Sequence, residues 1–167
     1  MTNGKGQFRM SDQTRDAEHM RHAIRMARVA REQGNRPYGA VLGAATGELP
    51  AEGPNTEQAE RDLTGHAETN ALRDAYRQFG PERLAGSTIY ASGEPCPICS
   101  AVVFYSGVSR VVYGASREKV RELVPQTRDN PKLAITCREI LATSSRPIEV
   151  VGPFLEDEAG QVFVEAG

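Results

Sequence analysis

A histidine and a glutamate two residues apart, in Gly65-His66-Ala67-Glu68, and two cysteines three apart, in Glu94-Pro95-Cys96-Pro97-Ile98-Cys99, are the residues of this chain best suited to chemistry. Neither segment decides anything alone. A His-x-Glu at a helix start is commonly a capping or surface pair. A Pro-Cys-x-x-Cys fits a structural zinc half-site, a redox pair, or half of a catalytic metal site. Taken together they discriminate better. Each falls where a strand or loop feeds a helix N-terminus. Pro97 suits the first helical position, which needs no backbone donor, and Cys96 and Cys99 share a face of that first turn. The partial positive charge of a helix N-terminus favours thiolate over thiol. Two thiolates and an imidazole make three zinc ligands. A tetrahedral zinc then keeps its fourth position for water, as catalytic sites do, and lowers the pKa of that water to about 7. Glu68 is placed beside the metal without ligating it. There it can take a proton from the water, pass it to a ring nitrogen and protonate a leaving amine.

Two alternatives fit less well. A closed structural site would need Cys137 as fourth ligand, but Cys137 lies late in the chain with no metal-type partner at short spacing. It reads as a small buried apolar residue. A thioredoxin-like redox pair leaves His66 and Glu68 without a role.

The elements that must position these residues can be read from periodicity. Met20, Ala23, Ile24, Ala27 and Ala30 recur at helical spacing over 12–33, and Gly34 offers a stop. Residues 39–45 read as a buried strand, 45–48 as a turn, and the next strand ends near Asn55, making a hairpin. A polar, turn-rich stretch covers 56–65. A helix over 65–79 follows, with Ala67, Ala71, Leu72, Ala75 and Phe79 as its inner stripe, and Gly80-Pro81 ends it. Then come a strand at 87–91, a loop at 92–95, a buried helix at 97–105, a strand at 109–113, a short helix at 117–123, a loop at 124–132, a helical stretch at 133–141 and a last strand at 148–151. The acidic tail from Gly152 onward has no clear assignment. Strands alternating with helices imply a central sheet covered on both faces. More than 30 residues separate the strands at 109–113 and 148–151, room for a right-handed helical crossover, so these two are expected to be parallel.

The length of 167 residues suits one domain, taken as 12–167 after a polar, flexible lead-in at 1–11. That lead-in lacks the apolar core of a signal peptide. No apolar run approaches the roughly 18 residues needed to span a membrane. Three cysteines are too few for a disulfide framework and fit a reducing compartment. A cytoplasmic protein with no membrane partner is expected. Twenty basic and 22 acidic residues give a net charge of −2, which argues against a large polyanionic partner. Arg21, Arg25 and Arg28 share one helical face, with Arg15, Arg31 and Arg36 nearby. A solvated face is the plain reading of that stripe.

The His-Ala-Glu…Pro-Cys-x-x-Cys arrangement resembles the cytidine-deaminase-like superfamily, whose signature is H-x-E…P-C-x-x-C. The resemblance runs over about residues 19–151 and includes the element order. It implies an α/β fold, a three-layer α/β/α sandwich with a five-stranded mixed sheet. It also implies zinc as cofactor on His66, Cys96 and Cys99, with Glu68 as proton shuttle. Within the superfamily the sequence is most similar to the guanine deaminase, cytosine deaminase and tRNA-adenosine deaminase group. Pro37-Tyr38-Gly39-Ala40-Val41 resembles that group's Pro-Phe-Gly-Ala-Val, with Tyr38 adding a hydroxyl near the expected pocket. Asn55 matches an Asn that hydrogen-bonds substrate in relatives, although Asn-Thr is also ordinary turn chemistry. Glu94-Pro95-Cys96-Pro97-Ile98-Cys99 resembles the Glu-Pro-Cys-Pro-Met-Cys of free-base deaminases. Ala67 and Ser92, within and beside the motifs, are further candidate substrate contacts.

The activity implied is hydrolytic deamination of a free nucleobase or related aminated heterocycle, guanine-like first. A tRNA-adenosine deaminase, or a nucleoside or cytosine deaminase, is the alternative. The tRNA enzymes carry a basic C-terminal helix, whereas Glu156-Asp157-Glu158 would repel phosphate. A nucleic-acid partner therefore ranks below a small heterocyclic base. A non-catalytic zinc-stabilised module, a different class altogether, would have no use for Glu68. A homodimer is expected by analogy. In guanine deaminase relatives an exchanged C-terminal segment caps the partner's pocket, a role open to Phe154 and Phe163, though packing on their own domain is simpler. Arg128 and Asp129 could face the pocket, and a solvated loop pair is the simpler reading of them.

Overall fold

The structure, a computed structural model, describes residues 4–44, 51–125 and 132–165. The chain begins with a long helix, α1 (Gly4–Glu32). It starts ahead of the expected Asp12, because Lys5, Gln7, Arg9 and Met10 are good helix formers and no proline interrupts them. Gly34, at φ +82°, turns the chain out of it. A hairpin follows, β1 (Gly39–Gly43) and β2 (Ala51–Pro54), paired antiparallel. The turn expected at 45–48 lies outside the described residues.

After the hairpin come α2 (Glu57–Glu60), α3 (Ala67–Phe79), α4 (Pro81–Leu84), β3 (Thr88–Gly93), α5 (Pro97–Ser106), β4 (Arg110–Ala115), α6 (Arg117–Leu123), α7 (Cys137–Ala142), β5 (Glu149–Val151) and α8 (Glu156–Val164). The single-turn helices α2 and α4 and the C-terminal α8 add to the expected elements. Helix α7 starts at Cys137 rather than at 133, because Thr136 and Glu139 form a reciprocal capping box there.

The five strands form one mixed sheet in the order β2-β1-β3-β4-β5. β3 runs antiparallel to β1, whereas β4 and β5 run parallel to β3. Alternate residues of each strand enter opposite cores. Ala40, Leu42, Ile89 and Val111 meet α3, α5 and α7 through Ala71, Leu72, Val103 and Leu141. On the other face Val41, Tyr90 and Val112 meet α1, α6 and α8 through Met20, Ala23, Val120 and Val162. This is the expected three-layer α/β/α sandwich.

Contact across the layers is close at Gly39, where a Cβ would lie 2.2 Å from the Ala23 carbonyl oxygen. A polar tie joins the same layers: Arg110 donates from its two terminal guanidinium nitrogens to Asp16 at 2.8 Å, and Tyr90 donates its hydroxyl to the same carboxylate at 2.7 Å. The basic stripe of α1 is only partly a solvated face. Arg21 pairs with Glu158 at 2.9 Å, Arg28 with Glu165 at 3.1 Å, and Arg31 donates to the Val162 carbonyl at 2.9 Å. Those arginines clasp α8. Among the described residues no helix is long and apolar enough to cross a membrane.

Candidate metal centre and its cavity

His66 and Cys96 occupy equivalent places in two helices. Each is the residue just before the first turn, with extended backbone: φ −78°, ψ 151° for His66 ahead of α3, and φ −72°, ψ 172° for Cys96 ahead of α5. Pro97 fills the first position of α5, and Cys99 follows within the same turn. The start of α3 is pinned to β2. Asn70 donates to the Pro54 carbonyl and to Thr56 Oγ1, both at 3.0 Å. A Cβ on Gly53 would lie 2.5 Å from the Ala67 carbonyl oxygen, so only glycine lets the strand come this near.

The two helix starts bring three donor atoms together. His66 Nδ1 lies 3.3 Å from Cys96 Sγ and 3.5 Å from Cys99 Sγ. All three ligand atoms fall within 4.8 Å of one another. A tetrahedral zinc holds nitrogen and sulfur ligands about 3.6 Å apart, so both the donor types and their spacing fit that metal. Thr69 Oγ1 lies 3.5 Å from Cys99 Sγ. Cys137 takes no part. It is buried against Ala91 and Tyr113, as a small core residue.

The protons of the cluster are shared unevenly. The hydrogen bond from Cys99 and the nearby His66 hold the Cys96 thiol down to about 4. The same hydrogen bond, with burial, pushes Cys99 up. The hydrogen bond with Cys96 raises His66. A divalent cation would displace these protons, which makes its binding pH-dependent. Glu68, only 6% exposed, accepts from Cys99 Sγ at 3.4 Å. Burial first, and then the charge of Cys96, pushes its carboxyl up to about 7.

A cavity of about 270 Å³ opens onto this cluster. Tyr38 and Asn55, both singled out in the sequence, line it. Tyr38 rests against Gly93 and meets the edge of Phe163 at 5.2 Å. Asn55 is buried, and its side-chain oxygen accepts from the Glu57 amide at 3.2 Å. Ala67 and Ser92 are buried and do not line the cavity. The Ser92 hydroxyl is taken up by the Gly39 amide at 3.0 Å. Phe154 packs with the α1, α6 and α8 cluster of its own chain. Arg128 and Asp129 lie outside the described residues.

Arg36, Glu57, Glu94, Arg117 and Lys132 also line the cavity, and sequence reasoning did not single them out. Glu94 had a signal, since it belongs to the cysteine motif. Its carboxylate accepts from the amides of Arg117 at 3.3 Å and Cys137 at 3.2 Å, the first residues of α6 and α7. It thereby ties two helix starts to the metal loop. The Arg117 guanidinium in turn donates to the Leu133 and Ile135 carbonyls.

A sandwich that turns one imidazole and two thiols toward a single point, with a buried carboxyl alongside, is the architecture of the zinc-type deaminases. The chain belongs to the cytidine and deoxycytidylate deaminase family, whose zinc-binding region matches residues 13–115. A probable cytosine deaminase of Schizosaccharomyces pombe is 36% identical over 145 residues, 87% of this chain and 88% of its own. A tRNA-specific adenosine deaminase of Bacillus subtilis is 40% identical over 102 residues, 61% of this chain. Those residues are 63% of that relative, so the chain matches less than two thirds of its length. In fold the chain is similar to a guanine deaminase of Nitrosomonas europaea, with a TM-score of 0.73 at 23% identity, covering 89% of this chain and 82% of that one. The chain is accordingly a hydrolytic deaminase of a family that depends on zinc.

Proposed function

We propose that the protein removes the exocyclic amino group from a free heterocyclic base, guanine-like first and cytosine-like next. In this reading His66, Cys96 and Cys99 hold the zinc and Glu68 moves the protons. One observation carries the choice of a free base over RNA. Arg21 and Arg28, two of the three arginines of the basic stripe that could have tracked a phosphate backbone, and the neighbouring Arg31 are taken up by α8 through Glu158, Glu165 and the Val162 carbonyl. Similarity over 88% of a probable cytosine deaminase supports the same choice. Lys132, at the cavity wall, and the 40% identity to a tRNA-specific enzyme keep RNA as the second reading. By analogy with the family, the protein works as a cytoplasmic homodimer.

The reaction consumes a base and one water and yields an oxo-base and ammonia. Zinc on its three ligands would supply Lewis-acid activation of water. Tyr38, Ile98 and Val120 give the ring apolar walls, and Asn55 offers it a polar edge. Glu68 takes one proton from the attacking water and delivers it to the ring nitrogen beside the amino-bearing carbon, then takes the proton of the hydroxyl newly added to that carbon and passes it to the departing amine, leaving the oxo group.

The test is an ammonia-release screen of the zinc-loaded protein. It covers guanine, cytosine, isoguanine, adenine, aminated triazines and pterins, the matching nucleosides, and a tRNA anticodon stem-loop. Release from one or more free bases, ahead of their nucleosides, is expected. Release from the stem-loop alone would replace this reading with RNA editing. Release from none would leave a zinc-stabilised module.

A further inference from the structure

The proposed chemistry gives no role to Glu57, a half-buried carboxylate on the cavity wall. Glu57 opens α2, two residues after Asn55, and its amide is held by the Asn55 side chain. Its Oε2 is shielded from solvent and accepts no hydrogen bond among the described residues. Two nitrogens face that oxygen just beyond hydrogen-bond range: His66 Nε2 at 3.9 Å and Arg36 Nε at 3.7 Å. A buried acceptor without a donor is costly to keep and asks for a reason.

His66 provides the reason. Its Nδ1 is the nitrogen that faces both sulfurs. When Nδ1 is a ligand, the ring proton sits on Nε2, on the side of Glu57. Metal-ligating histidines donate that second N–H to a carboxylate, a carbonyl or a water, which fixes the tautomer and the ring plane. Among the described residues no other carboxylate lies within 4.0 Å of the His66 ring nitrogens. A turn of the Glu57 side chain closes the remaining gap of about 1 Å to a normal hydrogen bond.

We infer that Glu57 is a positioning residue for the metal: its carboxylate accepts the Nε2–H of His66 and holds the imidazole with its Nδ1 lone pair toward Cys96 and Cys99. The inference rests on the reading of His66 as a zinc ligand. The Arg36 guanidinium, 3.7 Å from the same oxygen, attracts the carboxylate at the cavity wall. Glu57 acts through His66 and does not touch substrate.

The test is competition for zinc between a chelator and the full chain, as wild type, Glu57→Ala and Glu57→Gln. The melting temperature of each chelator-stripped protein is measured beside it. Glu57→Ala is expected to weaken zinc binding about 10- to 100-fold while the stripped variant melts with the stripped wild type. Glu57→Gln, whose amide oxygen still accepts, is expected to recover most of that loss. Zinc affinity unchanged in Glu57→Ala, with KM raised instead, overturns the inference and places Glu57 against the substrate. Glu57→Gln falling as far as Glu57→Ala also overturns it, because charge and not an acceptor would then be what matters. These results leave the deaminase reading standing, whereas a wild type that takes up no zinc overturns both.

Discussion

Asn55 and Glu68 share the cavity wall but meet different demands. Glu68 is buried beside sulfur, and burial pushes its carboxyl up to about 7. Asn55 serves twice, since its oxygen caps the Glu57 amide while its side chain lines the cavity. Asn55→Ala is therefore expected to raise KM about 10-fold or more for the preferred base, as loss of one directed hydrogen bond of 1–2 kcal/mol would. The zinc content of the fully loaded variant should be unchanged. Steady-state kinetics beside metal analysis checks this, and an unchanged KM would return Asn55 to turn chemistry alone. His66, Glu68, Cys96 and Cys99 were legible in the sequence because their spacing within two short motifs already implies one metal. Glu57 and Glu94 were not. The imidazole that Glu57 faces and the amides that Glu94 holds, 23 and 43 residues from it, arrive only with the fold.

At the scale of elements, the site depends on two helix starts aimed at each other and on the layer behind them. The alternation of strands and helices was readable because apolar periodicity changes cleanly from one to the other, and the parallel last strand followed from the long crossover before it. The acidic tail resisted reading for a physical reason. Helix α8 begins after Leu155 at φ +52°, with no side-chain cap, so the usual start signal is missing. Its apolar residues carry weight: Ala159, Val162 and Phe163 enter the core of α1 and α6, and Phe163 backs Tyr38. Phe163→Ala is expected to cost about 3 kcal/mol, at the low end for a core Phe because part of the ring contacts the cavity wall. It should also raise KM by loosening Tyr38. Chemical denaturation and kinetics on the same variant check both effects, and a change in stability with KM untouched would separate α8 from the site.

Over the whole molecule, the layers are joined by the Asp16, Tyr90 and Arg110 cluster as well as by apolar packing. Burial alone would push the Asp16 carboxyl up, but the Arg110 guanidinium and the Tyr90 hydroxyl outweigh it and hold it below the ordinary 3.8. A carboxyl with a depressed folded pKa stabilises fully above its unfolded value. That contribution is lost as pH falls below 3.8 through the folded value. Asp16→Asn leaves Arg110 without its buried partner and is expected to cost about 3 kcal/mol near neutral pH, a drop in melting temperature of roughly 6–12 °C. The gap between variant and wild type should narrow in acid, and a gap that stays constant down to pH 3 would refute the linkage. The fold so held serves the small volume where a proton shuttle meets a metal. The most direct measurement of that claim compares zinc-loaded wild type with Glu68→Ala, following ammonia release and zinc content together. The account predicts equal zinc in both and a turnover about 10²- to 10⁴-fold lower in the variant. Near-wild-type turnover by a zinc-loaded Glu68→Ala would contradict it.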